Sequence, residues 1–498
     1  MNYPPAKVLG FLLITMALLF GITYLSKPNT LANGKTEDGF AIGDFVIKYP
    51  TTERFFSPSN NTLEKEQTQT IDSLVESIEQ LVVEEDVENE KTNTTIPEPT
   101  IPDFTKIDTS KIQRINYPID KDAFLHLLKT NLTSGQCRII HYGDSQIEGD
   151  RISAYLRNRL QGSYGGYGPG FIPIKQVYHQ VSADVAASDN WGRYAYFDPT
   201  QEKFEHKKYG AYSSFSRFTP YYDLAKDNIS LDTLKLSKAT IYVGISDKSY
   251  TRCRTFTNIG LHYGNAQTKT SIKVYEDGTL IKSDTLKADG TYHNYNINLS
   301  STPGSLKIEL ESKLSPDFYG ITLDGNEGIS LDNVAMRGSS GTIFAGSNNS
   351  NFQSMLNTLN PKVIIMQYGG NSLPYLKDSL EVQEYANYLK NHIRWVKRKT
   401  KDANFIFIGP SDMTTTENGQ LMTYKLLPYL NEQLQAMCTS NGIAYWSMYD
   451  AMGGKGSMIH WVDQKLAASD YTHFSGKGTR IISELFFLAL YLDLTETE

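Results

Sequence analysis

Residues 138–150 read RIIHYGDSQIEGD, and the interpretation of the whole chain depends on this stretch. An apolar run typical of a buried strand ends at Gly143, and Asp144 and Ser145 follow before an acidic stretch with helical character. In one interpretation, Asp144 or Ser145 caps the next helix, because its side-chain oxygen accepts one of the first unpaired N–H groups. In the other, Ser145 is a nucleophile on a strand-to-helix turn, with backbone N–H groups nearby to hold an oxyanion.

Composition limits the class of protein. The chain has 498 residues, enough for about three domain-sized units, and 40% of them are hydrophobic, enough to form a buried core. A net charge of −7 and the lack of a basic stripe argue against a nucleic-acid partner. The cysteines, Cys137, Cys253 and Cys438, show neither metal-binding nor redox spacing, so we expect Cys137 and Cys438 to be small buried side chains. A bridge between any two stays an open alternative.

The amino terminus predicts a membrane anchor. Residues 8–26 carry no charge and lie between Lys7 and Lys27, and their length is close to the roughly 20 residues that cross a hydrocarbon core. No small-residue cleavage site follows closely, which favours an uncleaved single-pass anchor over residues 1–27. Because the remaining chain is soluble in character, we expect it to face outward from the membrane.

Residues 28–110 are polar and acidic and predict a stalk. Within residues 62–91, apolar side chains recur with helical spacing on one face: Ile71, Leu74, Val75, Ile78, Leu81 and Val82. This helix is interpreted either as an acidic spacer or as a short coiled-coil or partner helix. The Pro-rich segment at residues 95–104 predicts an extended connector to the domain that follows.

From residue 111 the pattern becomes α/β. A helix is predicted at residues 123–132, a buried strand at residues 137–142 and an amphipathic helix at residues 150–164. Further apolar runs at residues 361–368, 404–410 and 442–449 alternate with helical segments. Alternating strands and helices predict a parallel sheet covered on both faces, with ligands beyond the carboxyl ends of its strands.

Residues 182–331 follow a different pattern. Apolar and polar residues alternate there, helical periodicity is nearly absent, and Asp277-Gly278 is a hairpin-type turn. We interpret this segment as a β-sandwich inserted into the α/β domain. A packing role and a role in gripping an extended polymer are both consistent with the pattern.

Chemically active residues cluster at or near predicted strand ends. Ser145 follows the first strand, Gly341 lies in NVAMRGSSGTIF, Asn371 follows two glycines in MQYGGNS, and Asp470 precedes His473 by three residues in ASDYTHFSGKG. Acyl transfer needs a nucleophile, a base, a carboxylate that orients the base, and donors for an oxyanion. Each motif alone is a common loop, but together they supply all four parts.

These motifs, in this order, resemble those of the SGNH or GDSL-type hydrolases. The resemblance implies a flavodoxin-like, three-layer α/β domain formed by residues 111–181 and 332–498, interrupted by a jelly-roll-like insert at residues 182–331. It implies that Ser145 is the nucleophile, His473 the base and Asp470 its orienting carboxylate. The implied oxyanion donors are the backbone N–H groups of Ser145 and Gly341 and the side chain of Asn371. Gly338 is an alternative to Gly341.

The motifs look most like those of extracytoplasmic peptidoglycan O-acetylesterases. The resemblance implies an esterase that removes O-acetyl groups from a cell-wall or surface polysaccharide, without metal or organic cofactor, on the outer side of the inner (cytoplasmic) membrane. Gln146 departs from the family pattern, which leaves the exact substrate open. Ser372 replaces the usual acidic residue after Asn371, which implies a weaker hold on the nucleophile loop without loss of catalysis. Gln146, His460 and Trp461 are candidate substrate contacts, although loop packing explains His460 and Trp461 equally well.

Two further functions stay open at this point. Ser145, His473 and Asp470 would also serve an O-acetyltransferase. Such an enzyme receives an acetyl group from a membrane acyl-donor partner and passes it to a sugar hydroxyl. A protein that only binds glycans would keep the fold without the chemistry, and the intact Ser145, Asn371, Asp470 and His473 argue against it.

Overall fold

The computed structural model describes residues 5–30, 36–42, 45–49, 51–52, 68, 71–79 and 102–496. The chain divides into two compact units, residues 1–62 with 414–422 and residues 63–413 with 423–498. Leu81, Val82 and most of the Pro-rich connector lie outside the described residues, so these parts of the predicted stalk stay predictions.

The strands of the described residues are numbered in chain order. They are β1 (Lys27–Thr30), β2 (Thr36–Ile42), β3 (Phe45–Lys48), β4 (Gln136–Gly143), β5 (Gly170–Ile172), β6 (Asp184–Ala187), β7 (Gly192–Ala195), β8 (Ser214–Arg217), β9 (Ser237–Gly244), β10 (Asn258–Gly264), β11 (Thr270–Glu276), β12 (Thr279–Leu286), β13 (His293–Asn298), β14 (Leu306–Ser312), β15 (Asp317–Asp324), β16 (Gly328–Ala335), β17 (Pro361–Gln367), β18 (Asn404–Ile408), β19 (Thr414–Glu417), β20 (Gln420–Thr423) and β21 (Ala444–Trp446). The helices are Pro5–Leu25, residues 71–79, Lys121–Thr133, Arg151–Tyr164, Asn349–Leu359, Ser379–Lys397, Leu427–Thr439, Met448–Ala451, Ser457–Asp463 and Gly476–Thr495.

The smaller unit contains the apolar helix Pro5–Leu25. Its segment Ala6–Leu25 has a mean hydropathy of 2.3, and by length and composition it is suited to cross a membrane. The strands β1, β2 and β3 form an antiparallel sheet in the segment that the sequence assigned to a polar stalk. β19 and β20 form a two-stranded sheet.

A parallel sheet with the order β16-β4-β17-β18-β21 forms the centre of the larger unit. Numbered along the chain, this order is 2-1-3-4-5, which is that of a flavodoxin-like sheet. Neighbouring strand residues point to opposite faces, so Ile139 and Ile140 are buried in separate cores. The prediction of an α/β fold with a parallel sheet is confirmed.

Helices cover both faces of this sheet. One core includes residues of Lys121–Thr133, Arg151–Tyr164 and Gly476–Thr495, and the other includes residues of Asn349–Leu359, Ser379–Lys397 and Leu427–Thr439. The helix Arg151–Tyr164 was expected to be amphipathic, yet it is buried along most of its length. Two of its arginines are neutralised inside the core, because Arg157 pairs with Asp150 and Arg159 pairs with Glu484.

Two antiparallel sheets lie between β4 and β16 along the chain. Their orders are β13-β10-β15-β8-β7, with β5 beside β15, and β12-β11-β14-β9-β6, and they share a third core. The turn between β11 and β12 has Asp277 and Gly278 at positive φ, as a tight hairpin requires. β16 belongs to the parallel sheet from Gly328 onward, and the division of the insert at residues 182 and 331 stays a prediction.

The described part of the predicted stalk helix, residues 71–79, packs against the larger unit. Leu74 and Ile78 are buried in the same core as the carboxyl-terminal helix. Asp72 Oδ1 lies 2.7 Å from His460 Nε2. This part of the helix therefore docks on the chain's own α/β unit instead of standing free as a spacer.

The three cysteines are free and buried. For Cys137 and Cys438 this is the environment that the sequence predicted.

Candidate active site

The turn after β4 presents Ser145 at the carboxyl edge of the parallel sheet. Ser145 begins a 3₁₀ segment, Ser145–Asp150, and Asp144 caps it by accepting a hydrogen bond from Gln146 N. Gly143 suits this point, because a Cβ there would lie 2.9 Å from Cδ1 of Ile147 and the Ile147 side chain would have to shift. The capping interpretation therefore holds for Asp144, and Ser145 remains exposed to the site.

His473 and Asp470 lie in a tightly bonded turn before the last helix. One Asp470 oxygen accepts hydrogen bonds from the backbone N–H groups of Thr472 and His473, each at 3.0 Å. The other lies 2.8 Å from His473 Nδ1. Partial burial raises the pKa of Asp470, but the hydrogen bonds from His473 and Thr472 outweigh it and leave the pKa below its ordinary value.

The structure brings Ser145 and His473 together. His473 Nε2 lies 2.9 Å from Ser145 Oγ, which completes a chain of contacts from Asp470 through the imidazole to the hydroxyl. A second link fixes the two loops, since Gln146 Nε2 donates to the carbonyl of Thr472 at 2.6 Å. Such an arrangement can deprotonate a serine hydroxyl during nucleophilic attack.

A small cavity of about 60 Å³ lies beside Ser145. Its walls come from the loops after β4, β17, β18 and β21 together with the His473 turn. The loops after β4 and β17 flank the point where the strand order of the sheet reverses, and ligands of such sheets bind there. Apolar wall residues include Met413, Met448 and Pro410.

Asn371 lines this cavity, but its side-chain N–H groups are already used. Nδ2 donates to Asp144 Oδ2 at 2.9 Å and to the carbonyl of Ser339 at 3.2 Å. Burial raises the pKa of Asp144 to about 6, against the hydrogen bonds from Gln146 and Asn371, which lower it.

Neither glycine proposed as an oxyanion donor lines the cavity. The Gly341 N–H donates to Ser339 Oγ at 3.2 Å, and a Cβ on Gly341 would lie 2.8 Å from the Tyr368 ring. Gly341 thus serves close packing in this structure, which corrects its expected place beside Ser145. Gly338 has a positive φ and open space around it.

The structure also corrects the expected place of His460 and Trp461. Both lie in the helix Ser457–Asp463 instead of a loop, and neither lines the cavity. Trp461 is fully buried and its indole N–H donates to the carbonyl of Met452, while His460 contacts Asp72. Packing accounts for both residues.

His141 is buried in β4, two residues before Gly143. Its ring nitrogens lie 3.2 Å from Gln367 Oε1 and 2.9 Å from Ser153 Oγ. Burial lowers the pKa of His141 to about 3, so the ring is neutral and hydrogen-bonded. Within the described ranges, no group of three His, Cys, Asp or Glu side chains is placed to hold a metal ion.

Sequence reasoning missed Arg151 as a member of this region. Its Nη2 donates to the carbonyl of Ser145 at 2.8 Å and its Nε to the carbonyl of Glu148 at 3.0 Å. These two hydrogen bonds hold the turn that carries Ser145. Arg151 was assigned only to an amphipathic helix. Its position as the first helical residue after the Ser145 turn was the available signal.

Comparison with solved structures places the fold. A peptidoglycan O-acetylesterase aligns with 76% of this chain and 99% of its own length, at 18% identity and a TM-score of 0.57. A family two carbohydrate esterase from Clostridium thermocellum, in complex with cellohexaose, aligns with 50% of this chain and 90% of its own at 12% identity and a TM-score of 0.22. A carbohydrate esterase family 2 enzyme with a carbohydrate binding domain, from Corynascus thermopiles (Myceliophthora fergusii), aligns with 53% of this chain and 96% of its own length. Its identity is 12% and the TM-score is 0.25.

No family model matches the chain, and no curated protein matches it in sequence. The chain shares the fold of the peptidoglycan O-acetylesterase, and the resemblance predicted from its motifs is confirmed at that level.

Proposed function

We propose that this protein is a serine esterase that removes O-acetyl groups from a polysaccharide. The alignment of Asp470, His473 and Ser145 through contacts of 2.8 and 2.9 Å is the observation that carries the proposal. The fold shared with a peptidoglycan O-acetylesterase supports a cell-wall or surface polymer as the substrate.

The reaction would begin with attack of Ser145 Oγ on the acetyl carbonyl while His473 Nε2 takes the hydroxyl proton. Asp470 holds the tautomer with the proton on Nδ1 and stabilises the imidazolium that forms. The C–O bond to the sugar breaks as His473 returns the proton to the sugar oxygen. Water then attacks the acetyl-serine by the same path and releases acetate.

Oxyanion stabilisation would come from the Ser145 backbone N–H and from Asn371. Asn371 must exchange its 3.2 Å hydrogen bond to the Ser339 carbonyl for one to the substrate oxygen, while Asp144 retains the other N–H. We no longer assign Gly341 to this role, because its N–H is bonded to Ser339 Oγ.

The cavity supports a short acyl group. Its volume of about 60 Å³ is small, which suits an acetyl group better than a long acyl chain.

Solvent access favours hydrolysis over transfer. The side chains of His473 and Asp470 are 33% and 51% exposed, so water reaches the acetyl-serine. An acetyltransferase would need to exclude it. We therefore place hydrolysis ahead of transfer to a sugar hydroxyl with a membrane acyl-donor partner.

The location follows from the amino-terminal helix. Its length and apolar composition support a single-pass anchor in the inner membrane, with the esterase unit in the periplasm or at the cell exterior.

The test uses the full chain in detergent. Release of p-nitrophenol from p-nitrophenyl acetate is compared for the wild type, Ser145→Ala and Ser411→Ala, the last being a serine of the same cavity that the mechanism does not use. Acetate release from acetylated wall polymer, with and without a sugar acceptor, is measured in parallel. Loss in Ser145→Ala alone supports the serine mechanism. Acetylated sugar without free acetate would favour the transferase, and no serine-dependent turnover would leave a glycan-binding protein.

A further inference from the structure

A second cavity, of about 420 Å³, lies beside the nucleophile turn and is large enough for a sugar residue. The helices Arg151–Tyr164 and Gly476–Thr495 border it with their first residues, and residues 247–254 of the antiparallel region form the opposite wall. Arg151 connects this cavity to the reaction centre, because the same side chain donates to the carbonyl of Ser145.

The lining of this cavity is cationic in a chain whose net charge is −7. Four cationic side chains and one carboxylate face it: Arg151, Lys248, Arg254, Arg480 and Asp247. Both bordering helices also direct their positive N-terminal ends toward it.

Arg151 and Arg254 make their hydrogen bonds to backbone carbonyls. Arg151 donates to the carbonyls of Ser145 and Glu148, and Arg254 donates to the carbonyls of Ser249 and Asp247. Among the described residues, no carboxylate lies within 4 Å of the nitrogens of Arg151, Lys248 or Arg254, since none of the three forms a salt bridge there. The guanidinium Nη1 atoms of Arg151 and Arg254 make no hydrogen bond to the described part of the chain.

Four buried arginines of the same unit behave differently. Each of these buried guanidinium groups contacts a carboxylate: Arg138, Arg157, Arg159 and Arg217. A partly buried cation is costly unless an anion accompanies it. The fold places a carboxylate in direct contact with each of these four arginines, whereas Arg151 and Arg254 have none in salt-bridge contact among the described residues.

We propose that this cavity binds an oxyanion of the polymer, a sugar carboxylate or a phosphate, and so positions an acidic polysaccharide with its acetylated residue at Ser145. The inference rests on the proposed esterase function and names its substrate class. Anion and acetyl group would occupy adjacent cavities on either side of the nucleophile turn.

The experiment compares three chemically acetylated polymers of equal acetyl content: a polyuronate, its carboxyl-reduced neutral counterpart, and that neutral polymer carrying phosphate monoesters. The expected kcat/KM for acetate release is on the order of tenfold higher for an anionic polymer than for the neutral one, and the difference shrinks as salt is added. A gain on the polyuronate identifies a carboxylate and a gain on the phosphorylated polymer identifies a phosphate. Equal values on all three overturn the proposal.

Two variants test the residues. Lys248→Gln and Arg254→Gln are expected to remove most of the preference for the anionic polymer while p-nitrophenyl acetate turnover stays within about twofold. Lys235→Gln removes the same charge from an exposed lysine that does not line the cavity, and it is expected to keep the preference. If Lys235→Gln and Lys248→Gln have the same effect, general surface charge explains the preference and the cavity does not.

A binding experiment shows whether the proposed anion site or the proposed esterase function is wrong. Retention of the Ser145→Ala protein on the three polymers is expected to be strongest on an anionic one and to weaken with Lys248→Gln. Selective retention without any turnover would support the cavity and reject the esterase. Serine-dependent p-nitrophenyl acetate turnover with equal retention on all three polymers would do the reverse.

Discussion

The two sides of the reaction centre are prepared to different degrees. On one side, Ser145, His473 and Asp470 are already in hydrogen-bond contact. On the other, the N–H groups of Asn371 and Gly341 donate to Asp144 and to Ser339. In the proposed mechanism, the contacts for proton transfer are therefore already present in the free protein, whereas oxyanion stabilisation would require Asn371 to exchange a partner when substrate arrives.

Replacement of Ser145 by alanine tests the prepared side and has the largest expected effect. Turnover of p-nitrophenyl acetate should fall at least about 10⁴-fold, because removal of a serine nucleophile leaves little above background. Steady-state kinetics measures this. Ser411→Ala should change turnover by less than about threefold, and equal losses in both variants would contradict the assignment of Ser145.

Asp470→Asn is the second test of that side. An amide in place of the carboxylate favours the wrong imidazole tautomer, and kcat should fall about 10³- to 10⁴-fold. Circular dichroism should show an intact fold, since the residue lies in an exposed turn. A loss below tenfold would mean that the backbone alone orients His473.

Asn371→Ala tests the unprepared side. If Asn371 turns from Ser339 to the oxyanion, kcat should fall about 10²- to 10³-fold with a smaller change in KM. The comparison variant is Gly341→Ala, which crowds the Tyr368 ring and is expected to lower the melting temperature without a specific loss in kcat per folded molecule. A kcat loss confined to Gly341→Ala would restore the original assignment.

Asp144→Asn probes the carboxylate that holds Asn371. Burial raises the pKa of Asp144 to about 6 from an ordinary value of 3.8. The folded state then binds the proton more tightly than the unfolded chain. Its contribution to stability is full below about pH 3.8 and is lost as the pH rises through about 6.

The variant Asp144→Asn does not titrate and therefore lacks this loss of stability with rising pH. Between pH 4 and pH 7 the free energy of unfolding of Asp144→Asn should therefore rise relative to the wild type by up to about 3 kcal/mol. Urea unfolding at both pH values measures this. A pH-independent difference would show that Asp144 is ionised over the whole range, and Ser411→Ala, which removes no charge, should show no such trend.

The sequence predicted the parallel sheet and the Ser145, His473 and Asp470 positions because these depend on local patterns. Strand and helix periodicity are local, and the carboxyl ends of parallel strands necessarily meet at one edge. The three-residue spacing of Asp470 and His473 lets one turn hold both.

The sequence did not predict in the same way which residues contact each other inside the fold. The sequence around Gly341 and Trp461 does not show whether these residues contact a ligand or pack inside the fold. The structure shows packing, since Tyr368 lies against Gly341 and Met452 accepts a hydrogen bond from Trp461. The docking of residues 71–79 was likewise hidden, because an amphipathic helix shows which face is apolar but not what covers it.

The separation of β4 and β16 along the chain has a consequence for how the protein reaches its native state. Ile139 pairs directly with Leu331 in the sheet, yet both antiparallel sheets lie between these residues. β4 leaves the ribosome long before either of its neighbours, β16 and β17, exists, so both of its edges stay unpaired during synthesis. We expect the antiparallel segment to fold first, because its strands β6 to β15 all precede β16 along the chain, and thereby to shorten the loop that β16 must close. The contact between Ser145 and His473 would then form last, when the carboxyl-terminal segment brings His473 into place.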